Sequence, residues 1–206
     1  MSNGLFIAIE GGEGAGKSTH SKRLAQYLES IGHEVVLTRE PGGTPTAEKI
    51  RNILLDPEIM DMPDHTEALL FAASRADHAA NLIRPALERG ATVICDRYFD
   101  SSVAYQGYSR GLGAEKIRDL SLWATDNLIP DFTIYLDVPA EAAQERMDGT
   151  DRMEIQSRDF HEAVHQAFRE IAAASKFPNV LIDATAPKDD VQAAVQAAVA
   201  GVLASR

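Results

Sequence analysis

Residues Gly11-Gly12-Glu13-Gly14-Ala15-Gly16-Lys17-Ser18 follow G-x-x-x-x-G-K-[ST], a pattern that requires a strand before it and a helix after it. The flanks meet that requirement. Leu5-Phe6-Ile7-Ala8-Ile9 reads as a buried strand, and Thr19 to Ile31 reads as a helix with Leu24, Ala25, Leu28 and Ile31 at helical spacing. In such a unit successive backbone N–H groups converge on one point, and the helix dipole adds partial positive charge there. Lys17 then reaches the β/γ-phosphates of a nucleoside triphosphate, and the Ser18 hydroxyl joins a Mg²⁺ shell. The chain is expected to bind a nucleoside triphosphate along 11–19.

Further strands are expected at Glu34 to Thr38, Ala91 to Cys95, Phe132 to Val138 and Asn179 to Ile182, each short and rich in Val, Ile or Leu. Helical patterns alternate with them at about 44–55, 64–89, 114–128, 154–175 and 188–204. Asp64 with Glu67 suggests a capping box on the second of these. At 206 residues without repeats or low-complexity linkers, the chain is expected to form one α/β domain with a mostly parallel sheet and helices on both faces. The formal charge of −11, with no basic run, argues against a nucleic-acid partner. The single Cys95 excludes an internal disulfide and a cysteine-built zinc site. No apolar run approaches a membrane span and no signal peptide is read at Met1 to Ile9, so a cytoplasmic protein is expected.

Ligands on parallel sheets lie outside the carboxyl ends of the strands, so residues just after each strand carry most information. After the second strand comes Thr38-Arg39-Glu40-Pro41-Gly42-Gly43-Thr44, a tight turn that leaves Arg39 at the active edge, either as a surface ion-pair residue or as a ligand clamp. After the third comes Cys95-Asp96-Arg97-Tyr98. Asp96 is placed to order Mg²⁺ directly or through water, and Arg97 to grip phosphate bidentately. On the 64–89 helix Phe71, Arg75 and His78 share one face. Phe71 there is either core or a platform for a planar base, and His78 reads as solvent-facing or helix-supporting. Ser101, Ser102, Tyr105 and Gln106 follow close behind Arg97, with the serines as ligand hydroxyls or helix caps.

The set 10–19, 38–44, Leu70-Phe71-Ala72-Ala73-Ser74-Arg75, Asp96-Arg97-Tyr98, Ser101 and Ala104-Tyr105-Gln106-Gly107 resembles the thymidylate kinase family, in the family's order and over essentially the whole chain. The resemblance implies a P-loop NTPase fold with a five-stranded parallel sheet, one domain over 1–206 with a short lid at about 145–155, and a homodimer. It implies ATP and Mg²⁺ phosphorylating dTMP to dTDP, toward dTTP for DNA synthesis. It assigns ATP to Gly11, Gly12, Glu13, Gly14, Ala15, Gly16, Lys17, Ser18 and Thr19. Arg39 and Arg97 would hold the dTMP phosphate, Phe71 would stack on thymine, and Arg75 would donate to a thymine carbonyl. Ser102 and Gln106 would contact the same substrate, Tyr105 would crowd the sugar's 2′ position, and Pro41 would lie near the 5-methyl group. Glu13 would meet the 3′-hydroxyl or the metal-water network, while Ser18 and Asp96 would serve the metal.

The lid departs from the family pattern. Between Val138 and Met153 its cations are Arg146 and Arg152 alone, and Gly14 stands where other family members carry an arginine. Lys17, Asp96, Arg97, Arg146 and Arg152 are therefore the expected catalytic set, with Arg152 favoured over Arg146 and oriented by Asp151 and Glu154. The acceptor, a phosphate oxygen, is already anionic near neutral pH, so positioning and charge neutralisation suffice without a strong general base. A kinase for another nucleotide would lack the Phe71/Arg75/Tyr105 arrangement, and a regulatory GTPase would need an Asn-Lys-x-Asp that this chain lacks.

Overall fold

A computed structural model describes residues 4–144, 146 and 152–205. In chain order the elements are β1 (Leu5–Glu10), α1 (Lys17–Ser30), β2 (Val35–Arg39), α2 (Pro45–Leu55), α3 (Asp64–His78), a π-helical segment (Ala79–Ile83) and α4 (Arg84–Glu88). They continue with β3 (Thr92–Asp96), α5 (Phe99–Ser102), a second π-helical segment (Val103–Ser109), α6 (Ala114–Ala124), β4 (Phe132–Asp137), α7 (Ala140–Gln144), α8 (Arg158–Ala174), β5 (Asn179–Asp183) and α9 (Lys188–Ala204). The five strands form one parallel sheet in the order β2-β3-β1-β4-β5.

The alternation of side chains along each strand divides the core in two. Phe6, Ala8, Val93, Cys95 and Tyr135 point to the face covered by α3, α4, α5, α6 and α8. Leu5, Ile7, Ile9, Ile94, Ile134 and Leu136 point to the face covered by α1 and α9. All six residues of β1 are buried, whereas the edge strands β2 and β5 are partly exposed, which is why the inner strands are the most continuously apolar. The helix after β1 lies on one face and the helix after β3 on the other, so the chain diverges between these neighbours and opens a crevice at their carboxyl ends. Register sets the crevice's floor: Ile9 lies beside Asp96, and Asp96 beside Arg39.

Several local expectations are corrected. The helix over 64–89 runs unbroken to Glu88 but is not α-helical throughout; Pro85 has no N–H to donate, and the backbone passes through the π-helical segment just before it. The capping box at Asp64 does not form. Pro63 is the N-cap residue, with no side-chain cap, and the Glu67 carboxylate turns into the protein. The last long helix before β5 starts at Arg158, capped by the Ser157 hydroxyl on Phe160 N, not at 154. The sequence reading also missed the helical run over 99–109 and the short α7.

Candidate active site

The loop after β1 needs glycine at two positions for separate reasons. At Gly11 (φ 144°) a Cβ would lie 2.6 Å from the Leu136 carbonyl oxygen, and at Gly14 (φ 70°) it would lie 2.4 Å from that of Ala143. The second contact gives a physical reason for glycine at position 14, because α7 closes over this corner. Lys17 opens α1 and donates from Nζ to the Gly12 carbonyl at 2.6 Å, folded back across the loop. Burial, then Arg97, lowers its pKa to about 8. The Ser18 hydroxyl donates to Asp96 Oδ2 at 2.5 Å, joining the loop to the end of β3.

Arg97 follows with φ 69°, uncommon for a residue bearing a side chain. Its own N–H bonds to the Ile9 carbonyl, while buried Glu10 accepts from Tyr98 N, Ser101 N and Ser101 Oγ. Glu10 therefore ties the turn to β1, a role the sequence reading did not assign. Burial and neighbouring Asp100 push the Glu10 carboxyl up to about 8, against the pull of these donors and Arg97. The Arg97 guanidinium meets Glu13 at 2.7 Å and donates to the Gly11 carbonyl and Ser101 Oγ. Tyr105 Oη donates to the same Glu13 carboxylate at 3.1 Å. Burial works to raise Glu13, but Arg97 and Lys17 overcome it and hold the carboxyl at about 2.

A cavity of about 890 Å³ opens over this cluster, and the sheet order divides its lining into two limbs, one on the β2–β3 side and one on the β1–β5 side. One limb is walled by Arg39, Pro41, Phe71, Arg75, Ser102 and Gln106, the residues expected to meet dTMP. Phe71 is half-buried on this wall, so it is not core. Arg75, 2% exposed, donates to Glu40 Oε2 (2.7 Å), Ser121 Oγ, the Tyr98 carbonyl and Ser102 Oγ. His78 is fully buried, correcting the solvent-facing alternative: its Nδ1 meets Glu40 Oε1 at 3.0 Å and its Nε2 meets Thr38 Oγ1. Arg39 is half-exposed and pairs with Glu48 at 3.1 Å while lining the cavity, so the ion-pair and ligand readings both hold a geometric basis.

The other limb passes Gly14, Ala15, Gly16, Ser18 and Thr19. It ends against His20, Ala184, Ala186, Lys188 and Val191, which the sequence reading did not single out. The available signal was positional: His20 lies one turn into α1, and the others follow β5 at the active edge of the sheet. Arg51 of α2, also missed, lines the first limb and donates to the Pro41 carbonyl. Gly11 and Gly12 stand outside the lining and act through backbone geometry; the Gly12 carbonyl holds Lys17.

The two lid cations separate. Arg146 lines the cavity, with Nη1 3.5 Å from both the Gly14 and Ala184 carbonyls. Arg152 does not line it. Its side chain is 2% exposed, donating to the Leu54 carbonyl at 2.8 Å and to Glu67 Oε2 at 2.6 Å. Arg152, expected to be the leading lid cation, thus stands apart from the cavity lining, with its charge paired inside the fold. Glu67 is the carboxylate seen to pair with it, at 2.6 Å. Glu145 and residues 147–151, Asp151 included, lie outside the described residues.

The family profile described as Thymidylate kinase matches residues 9–195. A Clavibacter sepedonicus protein named thymidylate kinase is 50% identical over 198 residues, covering 94% of this chain and 93% of that one. A Pseudomonas fluorescens (strain SBW25) protein of the same name is 50% identical over 197 residues, covering 94% of each. The crystal structure of thymidylate kinase from Ehrlichia chaffeensis superposes with a TM-score of 0.77 at 34% identity, over 94% of this chain and 97% of that chain.

Proposed function

The chain belongs to the thymidylate kinase family and phosphorylates dTMP to dTDP with ATP as phosphate donor; on that premise we propose how its residues divide the work. ATP lies along the limb from Gly14 to Thr19, with Lys17 on its β/γ-phosphates. The dTMP lies along the limb from Arg39 to Gln106, its phosphate between Arg39 and Arg97 and its base against Phe71 and Arg75. The observation carrying this division is the single cavity whose two limbs meet at Lys17, Asp96 and Arg97. Holding two polyanions in line is the main barrier to this reaction, and a cationic junction lowers it by positioning and charge neutralisation.

Mg²⁺ fits the junction. Among the described residues no group of three or more His, Cys, Asp or Glu side chains forms a metal cage. Ser18 and Asp96 offer hard oxygen donors 2.5 Å apart, and Mg²⁺ characteristically takes one or two protein oxygens with the remainder from phosphate and water. When bound, the ion neutralises charge on the β/γ-phosphates. Arg146 supplies the lid cation, reaching over Gly14 where the loop has no arginine of its own. Tyr105 fills the volume a ribose 2′-hydroxyl needs, and Glu13 accepts from the sugar's 3′-hydroxyl or from metal-bound water.

The whole chain acts as one catalytic domain. We place the protein in the cytoplasm as a homodimer, the second on exposed Leu69 of α3 and Trp123 of α6, helices that pack against each other; separately, no described helix is long and apolar enough to cross a membrane. A panel of nucleoside monophosphates with coupled ADP detection tests the division of roles. The expected result is preference for dTMP, with Arg75→Ala affecting only the monophosphate; equal loss toward ATP contradicts it.

A further inference from the structure

Glu67 is a buried carboxylate bonded to Gln106 of the cavity wall, and no step above uses it. It is fully buried on α3. Its Oε1 accepts from Gln106 Nε2 at 2.8 Å, its Oε2 accepts from Arg152 Nη1 at 2.6 Å, and Arg110 spans both oxygens at 3.3–3.4 Å. Burial acts to raise its pKa, but the Gln106 hydrogen bond and the two arginines prevail and lower it. An ionised carboxylate can only accept hydrogen bonds, so the Gln106 amide has one permitted orientation: NH₂ toward Glu67, carbonyl oxygen away from it. That Oε1 has no partner among the described residues, and Gln106 lines the cavity.

Across the same limb stands a donor. A guanidinium carries five N–H groups, and Arg75 spends four on Glu40, Ser121, Tyr98 and Ser102, leaving one on Nη1. Gln106 and Arg75 both line this limb, so it carries one uncommitted acceptor and one uncommitted donor. A pyrimidine with an N3–H beside a C4 carbonyl matches that pair, whereas cytosine, with an unprotonated N3 beside an amino group, inverts it. We propose that Glu67, which touches no substrate, sets the nucleobase preference by locking the Gln106 amide with its carbonyl oxygen toward the cavity, so that the site takes imide-type bases and rejects cytosine. Arg152 and Arg110 are the counter-charges that keep the lock in place. The proposal rests on the assignment of this limb to dTMP.

Replacing Glu67 by Gln keeps the size but offers Gln106 either a donor or an acceptor, which frees the amide to turn. The test is kcat/KM for dTMP and for dCMP at saturating ATP in the full chain. Glu67→Gln should lower the dTMP:dCMP ratio by at least about tenfold, partly through an absolute rise in dCMP turnover, with the KM for ATP within about twofold of the parent. A merely structural role lowers both substrates together; that outcome, or an unchanged ratio, overturns the proposal. Gln106→Leu separates the two levels of the argument. A change in ratio with Gln106→Leu but not with Glu67→Gln removes Glu67's role alone, and no change with Gln106→Leu removes the assignment of the limb itself. If Glu67→Gln strands Arg152 and does not fold, Glu67→Gln/Arg152→Met carries the same measurement without the stranded charge. On the unaltered protein, 3-methyl-dTMP should raise KM by at least about tenfold over dTMP, and an equal KM overturns the proposal.

Discussion

Arg75→Ala separates stability from substrate recognition within one side chain. The parent guanidinium is buried against Glu40 at 2.7 Å and makes three further hydrogen bonds. Removing one partner of a buried ion pair costs about 3–5 kcal/mol, because the other charge is left without compensation. Glu40 keeps His78 at 3.0 Å, which places the expectation toward the lower end. For a chain of this size each kcal/mol lowers Tm by roughly 2–4 °C, so a fall of about 6–12 °C is expected in a protein that remains folded. Loss of the charge-assisted hydrogen bond to a base carbonyl costs a further ~1.5–3 kcal/mol in dTMP binding, about 10- to 150-fold. The assay is calorimetric titration of dTMP and of ATP, below the new Tm. Weaker dTMP binding with ATP affinity unchanged is the expected result. Equal loss toward both ligands, or no loss toward either, refutes the placement of Arg75 in the monophosphate limb.

Three other outcomes follow from the same geometry. Lys17 is charged below its lowered pKa of about 8 and loses that charge above it, so ATP affinity of the free protein should be flat up to roughly pH 7.5 and then fall; Lys17→Ala should abolish most transfer and remove this pH dependence. A pH profile unchanged by Lys17→Ala would show that another group controls it. Arg146→Ala should slow single-turnover transfer by more than about tenfold with little change in KM for dTMP, whereas Arg152→Ala should appear first as a lower Tm through loss of its pairing with Glu67; the reverse pattern contradicts the separation of the two cations. Tyr105→Ala should narrow the ratio of efficiencies between dTMP and its ribonucleotide analogue, and an unchanged ratio removes its steric role.

What the sequence made legible was local. The strand–loop–helix unit at 5–31, the apolar alternation of the strands, and Asp96-Arg97 at a strand end each depend on neighbours within a few positions. Glu67 marks the limit. Beside Asp64 it looks like a capping residue, yet its partners are Gln106, Arg110 and Arg152, separated from it by 39, 43 and 85 positions. His78 fails for the same reason, since Glu40 and Thr38 bury it from another element. Arg152 sits in a motif that suggests chemistry, but its reach to Glu67 and Leu54 follows from how 152–156 packs against α2 and α3. The π-helical segments carry no periodic signature of their own, and the far wall of the nucleotide limb is built from Ala184, Ala186 and Val191, small or apolar residues that no motif distinguishes.

In the proposed arrangement both substrates occupy one continuous cavity and meet at Lys17, Asp96 and Arg97. Inhibition by adenosine and thymidine joined 5′ to 5′ through a pentaphosphate tests it most directly, because such a molecule fills both limbs at once. One molecule should bind per chain, competitive with ATP and with dTMP alike, and weakened by both Lys17→Ala and Arg75→Ala. Competition with only one substrate, or simultaneous binding of the inhibitor and dTMP, would contradict it.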